Sequence, residues 1–348
     1  MVETCANVTL MKRRHLLPSL VLLPLAPSWA QLAGTAAAGT PAFDLQGHRG
    51  ARGLAPENTL PAFARALAVG VTTLELDVGI TRDGVVVISH DPTLNPDITR
   101  GPEGQFLAAR GPAIASLTYA ELQRYDVGRI KPGTRYASLY PEQQPVDGTR
   151  IPRLAELFEL VRRSGNAQVR FDIETKLSPL TPDDTPPPEP FARAVITAIR
   201  DAGVAARSTI QSFDWRTLQV VQKEAPEIPT AYLSAQQRFL DNIGAGKPEG
   251  SPWTAGFQHA QQGSVAKMVN GAGGRIWSAY WGDLDSEKIK EAQGLGLVVL
   301  AWTVNDPAQI ARLMDLGING LISDRPDLVR AEMQRRGMAL PAATPVQP

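Results

Sequence analysis

Two segments of the sequence place carboxylates at the spacing of a β-strand. Glu75 and Asp77 are two residues apart in one apolar segment, and Asp172 and Glu174 are two apart in another. Because strand side chains alternate between faces, each pair lies on one face of its strand. Carboxylates crowded together repel each other unless a cation neutralises them. The pattern predicts one divalent cation, Ca²⁺ or Mg²⁺ rather than Zn²⁺, on Glu75, Asp77 and Glu174; an exposed edge strand of alternating polarity is the alternative interpretation.

Two histidines and two cationic side chains accompany these carboxylates. His48 and Arg49 end the first apolar segment, His90 follows another, and Lys176 lies two residues beyond Glu174. One imidazole can take a proton from a nucleophile while the other protonates a leaving alkoxide. A guanidinium and an ammonium group bind the oxygens of an anionic substrate. These residue types predict phosphodiester cleavage with His48 and His90 as the acid-base pair.

Two further ring side chains have less specific surroundings. Trp302 ends a later apolar segment, where it is either a core aromatic or one wall of the substrate pocket. His259 lies in a Gln-rich segment, and we expect it to be exposed and to take no part in catalysis.

The elements that must position these residues alternate between strand-like and helix-like patterns. Eight segments are predicted to be strands: 43–49, 73–78, 169–174, 209–213, 230–233, 275–279, 298–304 and 320–323. Amphipathic segments with the pattern of helices lie between them. Eight strands separated by helices predict an α/β fold, the TIM (β/α)8 barrel.

An extra strand is predicted over residues 85–90, only four residues after the second barrel strand. Four residues cannot hold a crossover helix, so the two strands form a hairpin. Asp83-Gly84 is a favoured two-residue turn, and with that turn His90 falls opposite Asp77. The hairpin is therefore expected to bring an imidazole to the carboxylates.

The domain organisation follows from shifts in composition. Residues 95–150 are rich in Gly and Pro and predict a long loop insertion near the barrel mouth, where it shapes substrate choice. The barrel domain spans residues 43–335, including this insertion, after an N-terminal linker at 31–42. A C-terminal tail occupies 336–348 and is expected to be disordered from Pro341 onward.

The first thirty residues have the pattern of a secretory signal peptide. Basic residues 12–14 precede a short apolar segment, and Ser28-Trp29-Ala30 supplies the small residues of a signal-peptidase site. The apolar segment is shorter than the roughly 20 residues that a membrane span needs, so no stable membrane anchor is expected. We predict cleavage near Ala30 and a periplasmic or secreted protein, with Met11 as a candidate start. The basic residues leave Sec and twin-arginine export open.

Composition excludes several classes of function. The chain has 35 basic and 35 acidic side chains and no basic cluster beyond the predicted signal, which argues against a nucleic-acid partner. The only cysteine, Cys5, lies within the predicted signal. Thiol catalysis and disulfides are therefore excluded for the mature chain. The expected partner is a small-molecule substrate, and the oligomeric state is left open.

Seven motifs, in this order and spacing, resemble the glycerophosphodiester phosphodiesterase family in its secreted bacterial form. They are His48-Arg49-Gly50, Pro56-Glu57-Asn58-Thr59, Glu75-Leu76-Asp77-Val78, His90-Asp91, the pair Glu174 and Lys176, Gln211-Ser212-Phe213, and Trp302-Thr303-Val304-Asn305. One departure is Thr175, where Leu or Ile is commoner in the family; this position should face outward.

The resemblance implies a TIM barrel that hydrolyses a glycerophosphodiester to sn-glycerol 3-phosphate and an alcohol. Carried over by position, it implies that Glu75, Asp77 and Glu174 are metal ligands. It implies that His48 and His90 are the acid-base pair and that Arg49 and Lys176 bind the phosphate. It also implies that the glycerol hydroxyl is the internal nucleophile and that a cyclic phosphate is an intermediate. Which alcohol leaves, which ion binds and which histidine is the acid stay open.

Two other functions compete with this one. A secreted lysophospholipase D-like phosphodiesterase carries similar histidines and acids, although the related spider toxins depend on disulfides. A non-catalytic glycerophosphodiester-binding protein is the second alternative. The presence of both His48 and His90 argues against a binding protein, which needs no proton-transfer pair.

Overall fold

In a computed structural model of the protein, residues 43–348 are described. The predicted signal peptide (1–30) and linker (31–42) lie outside these residues. Nine strands are present in the described part: β1 (Asp44–Gly47), β2 (Thr73–Ile80), β3 (Val86–Ile88), β4 (Arg170–Thr175), β5 (Ser208–Ser212), β6 (Thr230–Ser234), β7 (Ile276–Tyr280), β8 (Val298–Trp302) and β9 (Gly320–Ser323).

Eleven α-helices accompany the strands within the described residues. They are α1 (Leu60–Val69), α2 (Tyr119–Leu122), α3 (Arg135–Leu139), α4 (Leu154–Arg163), α5 (Pro188–Asp201), α6 (Trp215–Glu224), α7 (His259–Gln262), α8 (Val265–Gly271), α9 (Ser286–Gly294), α10 (Pro307–Asp315) and α11 (Pro326–Arg335). None of these helices has both the length and the apolar character that crossing a bilayer requires.

Eight parallel strands close into a barrel, which confirms the predicted fold. The strand order is β1-β9-β8-β7-β6-β5-β4-β2, and a parallel pairing of β1 with β2 closes the ring. β3 pairs only with β2 and lies outside the ring. Every barrel strand therefore points its carboxyl end to the same side, the side where barrel enzymes place their active sites.

Side-chain alternation along β2 explains how the barrel can hold charge in its interior. Leu74, Leu76 and Val78 are fully buried in the hydrophobic core shared with the surrounding helices. Glu75 and Asp77 alternate with them and point to the barrel interior, as expected from a period of two. The apolar face fixes the register of β2, because a slip of one residue would turn these three core residues into the barrel interior and bury the two carboxylates among apolar side chains.

The β2–β3 hairpin forms, but its predicted register is wrong by one residue. Val78 pairs with Ile88, and Ser89 donates its backbone N–H to the Asp77 carbonyl at 2.9 Å, so Ser89 rather than His90 stands opposite Asp77. The turn has three residues, 82–84, instead of two. Gly84 closes it with a φ of 80°, a conformation that glycine adopts without a steric penalty.

The insertion at 95–150 is more ordered than a loop. It contains α2 and α3, and its apolar residues Ile114, Leu122 and Val127 form a small second core with Val87 of β3 and the flanking Leu94 and Ile151. It also reaches the barrel mouth, where Gln143 Nε2 donates to the Arg52 carbonyl at 2.7 Å. The insertion is thus anchored both to the hairpin and to the first strand-to-helix loop.

The C-terminal tail is ordered, contrary to the expectation for residues after Pro341. The backbone N–H of Thr344 donates to the Leu67 carbonyl at 2.9 Å, and Asn166 Nδ2 donates to the Thr344 hydroxyl at 3.1 Å. Arg330 Nη1 donates to the Pro341 carbonyl at 2.7 Å. These contacts tie the tail across α1 on the outside of the barrel.

Candidate active site

Three carboxylates meet at the carboxyl ends of β2 and β4. β2 supplies Glu75 and Asp77, and β4 supplies Glu174, which stands beside Asp77 in the parallel register. One carboxylate oxygen from each lies within 4.8 Å of the others, and all three side chains are buried. The predicted trio of ligands is therefore assembled in space. Asp172 lies on the same face of β4, one layer deeper, and is not part of the trio.

The hydrogen bonds of the trio test whether it suits a cation. Glu75 accepts from the Arg49 backbone N–H at 2.8 Å and from Gln211 Nε2 at 2.9 Å. Asp77 Oδ2 accepts from Asn58 Nδ2 at 2.9 Å, but its buried Oδ1 accepts no hydrogen bond from residues 43–348. A buried carboxylate oxygen is normally paired. An orphaned oxygen within a trio of hard oxygen donors fits a Ca²⁺ or Mg²⁺ ion.

Charge repulsion within the trio supports the same conclusion. Burial and the neighbouring Asp77 carboxylate raise the pKa of Glu75 well above its usual value. Burial also raises the pKa of Glu174 to about 7, against the opposing effect of Lys176. Burial opposes ionisation of Asp77 as well, but nearby His90, Arg49 and Lys176 hold the pKa of Asp77 low. Full ionisation of all three carboxylates is unfavourable without an added positive charge.

His48 is held by a carboxylate that sequence reasoning missed. Its Nδ1 lies 2.6 Å from Asp324 Oδ1, just after β9, and Asp324 also accepts from Arg52 Nε at 2.8 Å and from Asn305 Nδ2 at 2.7 Å. Burial and the nearby Arg52 lower the pKa of His48 to about 4. His48 Nε2 lies 3.8 Å from Glu75 Oε2, facing the trio. The imidazole is therefore neutral, donates through Nδ1 and presents a free lone pair at Nε2.

His90 has a similar arrangement at the end of the hairpin. Its Nδ1 lies 2.8 Å from Asp91 Oδ1, and Asn95 Nδ2 donates to the other oxygen of Asp91 at 2.7 Å. Burial and the cations Arg49 and Lys176 lower the pKa of His90. The shifted hairpin register does not remove His90 from the site, because β3 ends at Ile88 and the chain bends before His90.

The two predicted phosphate-binding cations lie beside the trio. Lys176 Nζ is 2.7 Å from Glu174 Oε1 and 3.7 Å from Asp77 Oδ1. Arg49 Nε lies 3.3 Å from Asp77 Oδ2, and Arg49 Nη1 donates to Glu57 Oε1 at 2.6 Å. Both cations are thus tied to carboxylates that fix their positions at the barrel mouth.

A chamber of about 230 Å³, which we call the inner chamber, joins these groups. Seven of the eight predicted site residues line it: His48, Arg49, Glu75, His90, Glu174, Lys176 and Trp302. The eighth, Asp77, is buried in contact with Arg49. Trp302 therefore stands as a wall of the chamber, packed edge to face with Phe213 at 5.3 Å between ring centroids. His259 begins α7, is half-buried and does not line the chamber.

Three residues around the site differ in how clearly the sequence indicates their contacts. Asp324 directly follows the predicted strand 320–323, and polar residues at that end of a barrel strand are candidates for function. Tyr136, in α3 of the insertion, donates its hydroxyl to Glu57, which holds Arg49; nothing in the local sequence indicates this contact. Thr175 faces outward as expected, with its hydroxyl 2.9 Å from that of Thr217 in α6.

Comparison with known proteins gives a consistent result. Residues 48–328 match the model of the glycerophosphoryl diester phosphodiesterase family. The chain is 28% identical over 281 residues to a glycerophosphodiester phosphodiesterase from Caldanaerobacter subterraneus, an alignment that covers 80% of this chain and 93% of that relative.

Solved structures show the same fold. A crystal structure of a protein from Silicibacter pomeroyi aligns with a TM-score of 0.76 at 34% identity and covers 86% of this chain and 96% of that one. A phosphodiesterase from Oleispira antarctica, solved with its product sn-glycerol-3-phosphate, aligns with a TM-score of 0.59 at 22% identity over 83% of this chain and 96% of that one. The second likeness bears on the fold alone.

Proposed function

The chain belongs to the glycerophosphoryl diester phosphodiesterase family, and on that premise we propose that it hydrolyses glycerophosphodiesters to sn-glycerol 3-phosphate and an alcohol. The observation that carries the proposal is the convergence of two histidines, two cations and two buried carboxylates on one inner chamber, with the third carboxylate, Asp77, directly beside them. A protein that only bound the diester would have no need of two imidazoles with Nδ1 held by aspartates and Nε2 left free.

Glu75, Asp77 and Glu174 would hold the divalent cation. When bound, that cation supplies positive charge for the phosphoryl oxygens and for the alkoxide that develops during the reaction. Asp77 Oδ1, which accepts no hydrogen bond from residues 43–348, and the raised pKa values of Glu75 and Glu174 support this assignment. The carboxylates also orient Arg49 and Lys176, whose remaining N–H groups are placed to bind the phosphate.

The positions of the histidines suggest how they divide the proton transfers. His48 lines the inner chamber, is buried and is neutral, so its Nε2 suits removal of the proton from the attacking glycerol hydroxyl. Attack on phosphorus expels the alcohol as an alkoxide, which takes a proton from His90 at the chamber mouth. Water then opens the cyclic phosphate with the two roles reversed, and sn-glycerol 3-phosphate is released.

The direct test measures release of sn-glycerol 3-phosphate from glycerophosphocholine by the chain without its first 30 residues. We expect EDTA to abolish release and either Ca²⁺ or Mg²⁺ to restore it, which also identifies the preferred ion. Release that is equal with and without EDTA would contradict the metal site. No release with either ion would contradict the activity itself.

We also propose that residues 1–30 direct export and are removed near Ala30, which would place the mature enzyme in the periplasm or outside the cell. The proposal rests on the basic, apolar and small-residue pattern of that segment. N-terminal sequencing of the protein recovered from a cell fraction checks it. A mature N-terminus at Met1 or Met11 would contradict it.

A further inference from the structure

A second, larger chamber adjoins the inner one on the outer side of the site. This outer chamber has a volume of about 420 Å³ and shares His90, Glu174, Lys176, Phe213 and Trp302 with the inner chamber. Because the shared wall includes the imidazole that would protonate the leaving alkoxide, the departing alcohol enters the outer chamber. Its lining therefore determines which alcohols are accepted.

The lining of the outer chamber is mainly apolar beyond the shared residues. Leu177 follows Lys176, Pro92 follows the hairpin, and Leu240, Phe239 and Trp253 come from the loops between β6 and α7. Phe239 is 65% exposed, and its ring packs edge to face on Tyr280, with centroids 5.3 Å apart. An apolar ligand would remove this exposed surface from water, which is favourable.

The charged side chains in this lining are already engaged. Asp91 is bound by His90 and by Asn95. Glu174 and Lys176 form an ion pair at 2.7 Å. The other eight lining residues outside the shared wall are uncharged, so beyond Asp91 they offer an ionic alcohol no charged partner, whereas a hydrocarbon needs none.

Exposed apolar residues continue outward from the chamber. Leu180, in the loop after β4, is 68% exposed and lies between the lining residues Ser178 and Thr181. Leu180 follows the carboxyl end of β4 and Phe239 follows that of β6, so both lie at the rim on the carboxyl side of the barrel. A hydrocarbon chain too long for the outer chamber would pass over this rim.

We propose that the outer chamber binds a hydrocarbon group on the leaving alcohol, so that the preferred substrates are glycerophosphodiesters of neutral, apolar alcohols. This inference rests on the proposed phosphodiesterase function. It adds a specificity site built from Leu240, Trp253 and Phe239, outside the catalytic groups.

The test compares n-alkyl esters of sn-glycerol 3-phosphate from propyl to octyl. These alcohols have nearly the same acidity, so differences report binding of the chain rather than its ability to leave. Each buried methylene should raise kcat/KM by about fourfold until the chamber is filled. A parallel series of methyl esters carries the alkyl chain on a glycerol oxygen instead, so that methanol is always the leaving alcohol. In this series kcat/KM should not rise with the length of the alkyl chain.

Charge preference is tested with a pair of isosteres. Glycerophosphocholine and the 3,3-dimethylbutyl ester differ by one nitrogen in place of carbon. We expect a lower KM for the neutral ester. A lower KM for glycerophosphocholine would mean that the aromatic rings bind a quaternary ammonium group, and it would overturn the preference for neutral alcohols.

Variants locate the effect. Phe239→Ser and Leu180→Ser should reduce the ratio of octyl to propyl kcat/KM by about three- to tenfold. The control is Val298→Ser, because Val298 is 41% exposed at the amino end of β8, on the opposite side of the barrel, and should leave the ratio unchanged. An equal loss in all three variants would overturn the location.

The outcomes separate this inference from the proposed function. Cleavage of glycerophosphocholine without any rise along the alkyl series would overturn the hydrocarbon site and leave the phosphodiesterase function standing. A rise confined to the glycerol-side series would overturn the assignment of the outer chamber to the alcohol. Cleavage of none of these esters with Ca²⁺ or Mg²⁺ would overturn both.

Discussion

At the scale of single residues, the two histidines share one design. Each donates Nδ1 to an aspartate, Asp324 for His48 and Asp91 for His90, and each aspartate is held by an asparagine. A carboxylate at Nδ1 fixes the tautomer and the ring orientation, leaving Nε2 for the substrate. The positions differ: His48 is buried beside the trio, whereas about 30% of the His90 side chain is exposed.

That difference predicts unequal responses to a good leaving group. His48→Ala and His90→Ala should each lower turnover of glycerophosphocholine by about 10²- to 10⁴-fold. The p-nitrophenyl ester of glycerol 3-phosphate releases an anion that needs no protonation, so His90→Ala should release p-nitrophenolate at close to the wild-type rate in the first turnover, and His48→Ala should not. Opening of the cyclic phosphate should stay slow in both variants, because each histidine takes part in that step. Circular dichroism checks that both variants fold. Substantial activity of either variant on glycerophosphocholine would contradict the acid-base pair.

Asp324→Asn tests the orientation of His48 separately. The Asp324 carboxylate raises the pKa of His48 against the lowering by burial, so its loss lowers that pKa further and allows the wrong tautomer. We expect kcat to fall by about 10²-fold or more with little change in KM. The acidic limb of the kcat/KM profile should move to lower pH.

Asp327→Asn is the matched control, because Asp327 pairs with Arg325 at the start of α11, outside the inner chamber. It should leave the pH profile unchanged. If Asp324→Asn lowered the melting temperature but kept the wild-type profile, Asp324 would be a structural residue only.

At the scale of elements, the insertion supports the catalytic barrel directly. The hydroxyl of Tyr136 in α3 donates to Glu57, Glu57 holds Arg49, and Arg49 contacts Asp77. An element outside the barrel therefore helps to orient Arg49, the guanidinium that we propose binds the phosphate. The same tyrosine hydroxyl accepts from Arg52 Nη1 at 3.2 Å, which links it to the His48 side of the site.

Tyr136→Phe should weaken catalysis without unfolding the chain. Loss of one hydrogen bond to a charged group, about 1.5 kcal/mol, frees Glu57 and loosens Arg49, so kcat/KM should fall by about tenfold. Tyr119→Phe is the control: Tyr119, in α2, donates to Glu156 at 3.0 Å and lies outside the inner chamber. Kinetics of purified variants give the comparison. Equal effects of the two substitutions would show that only the stability of the insertion matters.

The elements also show which parts of the fold the sequence could reveal. The strand carrying Glu75 and Asp77 was predictable because its alternation has a strict period of two and its outer face is buried. The hairpin was predictable, but its register was not. A turn of two residues and a turn of three residues both end at Gly84, and the difference of one residue shifts the pairing of the two strands. The contact of Tyr136 with Glu57 spans 79 residues of sequence, and no local pattern encodes it.

At the scale of the whole molecule, the trio of Glu75, Asp77 and Glu174 is a cost to folding that the proposed cation would offset. Glu75 and Glu174 have raised pKa values in the folded chain, with that of Glu174 at about 7. Below the unfolded value of about 4.5, Glu174 is protonated in both states and the penalty is absent. Between about pH 4.5 and about pH 7 the folded state binds more protons than the unfolded state, so the free energy of unfolding falls as pH rises.

The metal-free protein should therefore lose stability from about pH 5 to pH 8, and the loss should be smaller in Glu174→Gln. Added Ca²⁺ or Mg²⁺ at pH 8 should raise the melting temperature of the wild type, since a ligand at a hundred times its Kd contributes about 2.7 kcal/mol, or several degrees. Glu174→Gln should lose most of this rise.

The exposed Glu103 gives the control, because Glu103→Gln should behave as wild type. Scanning calorimetry after EDTA treatment measures all of these curves, and identical pH profiles for wild type and Glu174→Gln, with no cation-dependent rise, would show that the three carboxylates are not a metal site.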